Sequence, residues 1–152
     1  MSTRLIILFC LSFSIFSCKT DRPKAIDSGN NEQEIRELLN QQVAAWNEGN
    51  LDKFMDTYWK SDSLQFIGSQ ITSGWQATLD GYRLRYPNLA MIGKTRFEIL
   101  RILSISTDAS LVTGKFFLTR DSGDIKGIFS LVVKKINGEW VVIYDHTSEI
   151  NS

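Results

Sequence analysis

The side chains in this sequence that can carry chemistry are few. One histidine and two cysteines in 152 residues leave too few soft ligands for a zinc or iron–sulfur centre, so neither a metal nor a cofactor is expected. G-x-S-x-G, G-x-G-x-x-G and the P-loop pattern are all missing, which leaves hydrolase elbows and nucleotide loops without support. What remains is proton transfer and hydrogen bonding. Asp145 and His146 are adjacent, and the period of two in a strand sends adjacent side chains to opposite faces. Without a bulge they form no dyad in one pocket. A lone histidine is more often packed and bonded than a ligand. Gln42 stands seven residues after Ile35, in the middle of an apolar stripe. There it must bond to nearby backbone or face a cavity, where its amide can donate to a carbonyl oxygen.

The chain that positions these residues has 43% hydrophobic composition, enough for one domain with a core and too short for two. Seventeen basic residues balance seventeen acidic ones, so no strong field favours nucleic acid. After Arg4 an apolar run extends from Leu5 to Phe16, broken only by Ser12 and Ser14. Being well short of the roughly 20 residues that span a bilayer, it is read as a signal peptide over residues 1–17. Its end, Ile15-Phe16-Ser17-Cys18, resembles the lipobox of bacterial lipoproteins, with Cys18 as the lipidated residue. An ordinary secretory peptide with an incidental cysteine is the other reading. Lys19 to Asn31 is polar and reads as a tether with a reach of about 20 Å. The lipid-anchor reading places the protein in the cell envelope, touching the membrane through the anchor only. Cleavage before Cys18 removes Arg4 and Cys10, leaving a formal charge of −1 and no thiol in the folded part.

From residue 32 onward, Ile35, Leu38, Leu39, Val43 and Trp46 have the spacing of a helix with one buried face. Asn31 with Glu34 predicts its start and Gly49 its stop. Leu51, Phe54, Met55 and Tyr58 repeat the pattern in a second short helix. Ser63 to Gly68 reads as a strand. A capping box of Ser73 and Gln76 opens a third helix, with Trp75, Leu79, Tyr82 and Tyr86 on one side and Pro87 at its end. Four strands follow, Thr95–Ser106, Ser110–Arg120, Ile125–Ile136 and Glu139–Thr147. Asn137-Gly138 between the last two is the strongest hairpin signal. Phe97, Ile99, Leu103 and Ile105 alternate onto one face of the first long strand, with Leu100 and Ile102 on the other. Something must therefore cover both faces, helices on one and a second subunit on the other, which predicts a homodimer.

Ala45-Trp46-Asn47, Gly49-Asn50-Leu51, Tyr58-Trp59, Gly74-Trp75, Tyr86-Pro87, Gly127 with Phe129, and the segment Trp140 to Ser148 together resemble the nuclear transport factor 2-like superfamily. Within it the chain is most similar to the SnoaL-like branch, including the DUF4440-type domains, over about Glu32 to Ser148. The resemblance implies an α+β cone, three helices packed on a curved antiparallel sheet, with a pocket suited to a small hydrophobic molecule. Tyr58, Trp59, Phe66, Trp75, Tyr82 and Tyr86 come from segments that would line it, although large rings also dominate ordinary cores. Ketosteroid isomerase in this superfamily uses a tyrosine on the first helix and an aspartate on the first strand. Gln42 and Gln65 stand at those places, and a glutamine cannot act as a base. SnoaL-type cyclases are similar in another way, their proposed base being an aspartate on the last strand, where Asp145 falls. Asp145 is thus the catalytic candidate, with His146 beside it. Its other role is a structural acceptor for backbone amides or for Lys115 or Arg120. The two roles separate an isomerase-, cyclase- or dehydratase-type protein from a non-catalytic binding module whose pocket is filled by its own side chains.

Overall fold

The computed structural model describes residues 28–150 of the chain; the apolar leader, Cys18 and the segment up to Asp27 lie outside the described residues. Helix α1 (Ser28–Glu48) buries Ile35, Leu38, Leu39, Gln42, Ala45 and Trp46 along one stripe. Ser28 to Asn31 belong to this helix and not to a tether. The box of Asn31 and Glu34 therefore does not form. Asn31 instead donates to the Thr107 carbonyl, while Glu34 accepts from Lys135 Nζ at 2.6 Å and from Trp140 Nε1 at 2.8 Å. Gly49 ends the helix at φ +78°, with its N–H on the Trp46 carbonyl and the Asn50 N–H on that of Ala45.

Helix α2 (Leu51–Met55) is capped by the Asn50 side chain. Strand β1 (Gln65–Ile67) turns into β2 (Ile71–Ser73), a hairpin that the sequence pattern shows only as one strand. Ser73 pairs in β2, so the cap of helix α3 (Trp75–Arg85) falls to Gly74 at φ +94°, and Gln76 bonds to Asp80 instead. Pro87 follows the end of α3, and a further short helix, α4 (Leu89–Ile92), precedes the long strands. These are β3 (Lys94–Ser104), β4 (Ala109–Thr119), β5 (Ile125–Ile136) and β6 (Glu139–Glu149).

The six strands form one sheet in the order β2-β1-β6-β5-β4-β3. β3 to β6 are an antiparallel meander, and Asn137 and Gly138 both take positive φ in its last hairpin. β1 joins β6 in parallel, so the sheet is mixed. Two register slips decide which side chains face the helices. At Leu100 the β3–β4 pairing skips a residue, which turns Ile102 toward the core and leaves Leu103 and Ile105 exposed, against their expected alternation with Phe97 and Ile99. At Ile143 the β5–β6 pairing skips another, and Asp145 comes to the same side as Trp140 and Val142. In the middle of the sheet Gly114 faces Phe129 and Gly127 faces Phe116 across β4 and β5, and a Cβ at either glycine would collide with the facing ring. The absent side chains make room for the rings that floor the interior.

Candidate functional site

Between the inner face of the sheet and α1, α2 and α3 lies a cavity of about 580 Å³. Its wall is built by Trp46, whose ring meets Phe54, Tyr82 and Tyr86 edge-on at 4.9 to 5.9 Å, and by Phe66, which meets Tyr82 at 5.6 Å. Trp46 Nε1 donates to the Ile92 carbonyl, so the central ring of this wall is held by backbone. Phe97, Phe116 and Phe129 supply the floor from β3, β4 and β5. The alternative of a pocket filled by its own side chains does not hold for this cavity.

Asp145 is 3% exposed and lines this space. Its Oδ2 accepts from the Tyr58 hydroxyl at 2.7 Å and its Oδ1 from Thr147 Oγ1 at 2.8 Å. Neither Lys115, which pairs with Glu98, nor Arg120 bonds to it. Burial dominates its titration and pushes the carboxyl up to about 6, against the downward pull of the Tyr58 and Thr147 hydroxyls and of His146. A structural acceptor held by cations would have moved the other way. Tyr58 is itself raised well above the ordinary phenol range, first by burial and then by the Asp145 charge, and Tyr82 is raised for the same two reasons. At neutral pH both phenols keep their protons and are donors, while Asp145 is the acceptor able to change state.

Tyr58 reaches Asp145 because the segment after α2 adds to β6: the Trp59 N–H bonds to the Val142 carbonyl and the Val142 N–H to that of Thr57. Gln42 is 1% exposed and its amide has a fixed sense. The Thr57 hydroxyl donates to the Phe54 carbonyl and so must accept from Gln42 Nε2, at 2.9 Å. That leaves Oε1 and the second amide hydrogen to the cavity, which Gln42 lines.

Gln42, Tyr58, Phe66, Tyr82, Tyr86 and Asp145 are thus brought together around one cavity. Three candidates are not. His146 is exposed on the opposite side of β6, paired with Ile67 and Ser130. Trp59, next to the inward Tyr58, is not among the residues that line the cavity. Trp75 uses its indole N–H to hold the Met55 carbonyl at 2.7 Å and carries Lys60 over its ring. Gln65 is also outside the lining. Sequence reasoning missed Thr147, which the two-residue spacing from Asp145 places on the same face, and missed Arg85; Arg120, considered only as a partner of Asp145, lines the cavity without bonding to it. Among the described residues no three of His, Cys, Asp and Glu are grouped so as to hold a metal ion.

The family model described as a SnoaL-like domain matches residues 35–151. None of the curated proteins matches the chain. Among solved structures, a nuclear transport factor 2-like protein of unknown function from Shewanella oneidensis MR-1 is 36% identical, covering 78% of this chain and 98% of that one, with a TM-score of 0.76. A ketosteroid isomerase-like protein from Erwinia carotovora atroseptica is 16% identical over 79% of this chain and 96% of its own, with a TM-score of 0.66. A nuclear transport factor 2-like superfamily protein from Salmonella enterica serovar Typhimurium is 18% identical over 82% and 94%, with a TM-score of 0.64. The last two likenesses are of fold alone.

Proposed function

The chain belongs to the family of SnoaL-like domains, and we propose that its cavity binds a small, largely apolar molecule and that Asp145 moves a proton on it. The observation that supports this reading best is the state of Asp145. A carboxyl pushed up to about 6 inside an apolar cavity is a far better base than an exposed carboxylate and is still ionised at neutral pH. Tyr82, held protonated, supplies a donor near it for an oxygen that gains negative charge during proton abstraction beside a carbonyl, while the Tyr58 hydrogen holds the Asp145 carboxylate itself. Gln42 offers a further amide hydrogen to the same space. The reaction class is therefore isomerase, cyclase or dehydratase type, with Asp145 as base, Tyr58 as its hydrogen-bond partner and Tyr82 as a donor to the reacting oxygen.

The reading extends to address and assembly. The run Leu5 to Phe16 before Cys18 supports export and lipid anchoring at the cell envelope. Leu100, Leu103, Ile105 and Ile128, all exposed on strands or their ends, support a homodimer through the outer sheet face.

The test uses 2-tetralone, a small apolar bicyclic ketone with exchangeable protons beside its carbonyl. Its deuterium incorporation in heavy water, followed by NMR, is expected to be catalysed by the protein and to fall at least 100-fold in Asp145→Asn, the scale of a lost general base. Equal exchange with the protein and the Asn variant would contradict Asp145 as base.

A further inference from the structure

Two arginines meet at the exposed end of the cavity. Arg85 is the last residue of α3 and Arg120 follows β4 directly, and both line the cavity together with Tyr86, which feels the charge of each. Neither stands in an ion pair with an acidic residue among the described ones, whereas Arg83, two residues before Arg85, is bound to both Asp52 and Asp80. Arg120 is held in place: its Nε donates to the Gly123 carbonyl at 3.1 Å and its stem packs on the backbone of Gly93. The Tyr86 hydroxyl senses the whole group. Burial raises it, the charges of Arg85 and Arg120 and a hydrogen bond with Arg85 pull it back, and Glu149, which also lines the cavity, pushes it slightly upward; the Asp124 carboxylate lies nearby, on the Arg120 backbone N–H.

From this arrangement we infer that the ligand carries a carboxylate, held at the rim by Arg85, Arg120 and the Tyr86 hydroxyl while its apolar body fills the cavity. The inference rests on the proposed binding of a small apolar molecule and adds its class and its orientation. Orientation follows from charge. Asp145 is ionised above about pH 6 and sits at the buried end, so it repels an anion that enters first and favours the guanidinium end as the place for one. Planar guanidinium groups bind carboxylates through paired hydrogen bonds, which suits a site made of two arginines.

The probes are 2-naphthylacetate and its methyl ester, matched in ring and differing in charge, titrated at pH 8 against the tryptophan emission of the full domain. The carboxylate is expected to bind at least tenfold more tightly than the ester at low salt, with the preference shrinking in 0.5 M salt. The double variant Arg85→Gln, Arg120→Gln should lose the preference while ester binding stays within twofold of the parent, which also shows that the variant is folded. Glu149→Gln should enlarge the preference. Ester binding without any preference for the acid, or a preference that survives the double variant, overturns the carboxylate inference and leaves the cavity reading standing. Failure of both probes to bind overturns the two together.

Discussion

Tyr58 donates its phenolic hydrogen to Asp145 Oδ2 at 2.7 Å, joining two residues that are 87 positions apart in the chain and only 2% and 3% exposed. The bond works in both directions. It lowers the cost of a charge in the cavity, and the charge in turn keeps the phenol protonated. Tyr58 thereby remains a donor, and Asp145 remains the group that exchanges a proton.

Removing that donor should shift the base. In Tyr58→Phe the largest downward pull on Asp145 is gone, so its titration midpoint should move upward from about 6. The variant should also lose about 1 to 3 kcal/mol at pH 8, where Asp145 is charged, and clearly less at pH 5, where it is neutral. Urea unfolding at the two pH values measures the difference.

Asp145→Asn should behave in the opposite sense. A carboxyl raised from 3.8 to about 6 favours the protonated folded form, so the wild type loses stability as pH rises through that window and keeps the deficit above it. The shift corresponds to a penalty of up to about 3 kcal/mol. The Asn variant carries none of it. Its melting temperature relative to wild type should climb between pH 4 and pH 6 and then level off, while proton-transfer activity is lost.

Gly114→Ala tests the cavity floor. A Cβ there meets the Phe129 ring and the Glu98 carbonyl, and Phe129 can yield only by moving against Phe97 at 5.1 Å. The expected cost is about 1 to 3 kcal/mol, the scale of an overpacked core, together with weaker binding of cavity ligands. Thermal unfolding and ligand titration of the same variant give both values.

Cys18→Ser tests the address. The variant should stay in the soluble fraction and take up no fatty-acid label in a bacterial host, whereas the parent should take up label and sediment with membranes. Unchanged labelling of the variant would remove Cys18 as the lipidation site.

Much of this architecture is legible where local physics decides it. The stripe from Ile35 to Trp46, the stop at Gly49 and the hairpin at Asn137-Gly138 all appear at their expected places. The parts that escape are non-local. Parallel pairing of β1 with β6 joins segments some 80 residues apart, and nothing in either strand announces the other. Simple alternation from Trp140 and Val142 would send Asp145 to the outer face; the extra residue at Ile143 brings it inside, and a bulge leaves little trace in a Val- and Ile-rich strand. The same effect at Leu100 moves Leu103 and Ile105 outward. Ser73 shows how tertiary structure overrides a local signal, since pairing in β2 removes it from the helix cap it could have formed.

If Asp145 is a buried, ionisable base facing a ligand cavity, its own carboxyl carbon reports it most directly, by NMR titration in the folded protein with the signal assigned by its absence from Asp145→Asn. We expect a midpoint near 6 that moves when a cavity ligand is added. A midpoint below the ordinary carboxyl value near 3.9, unmoved by ligand, would show a structural acceptor and contradict it.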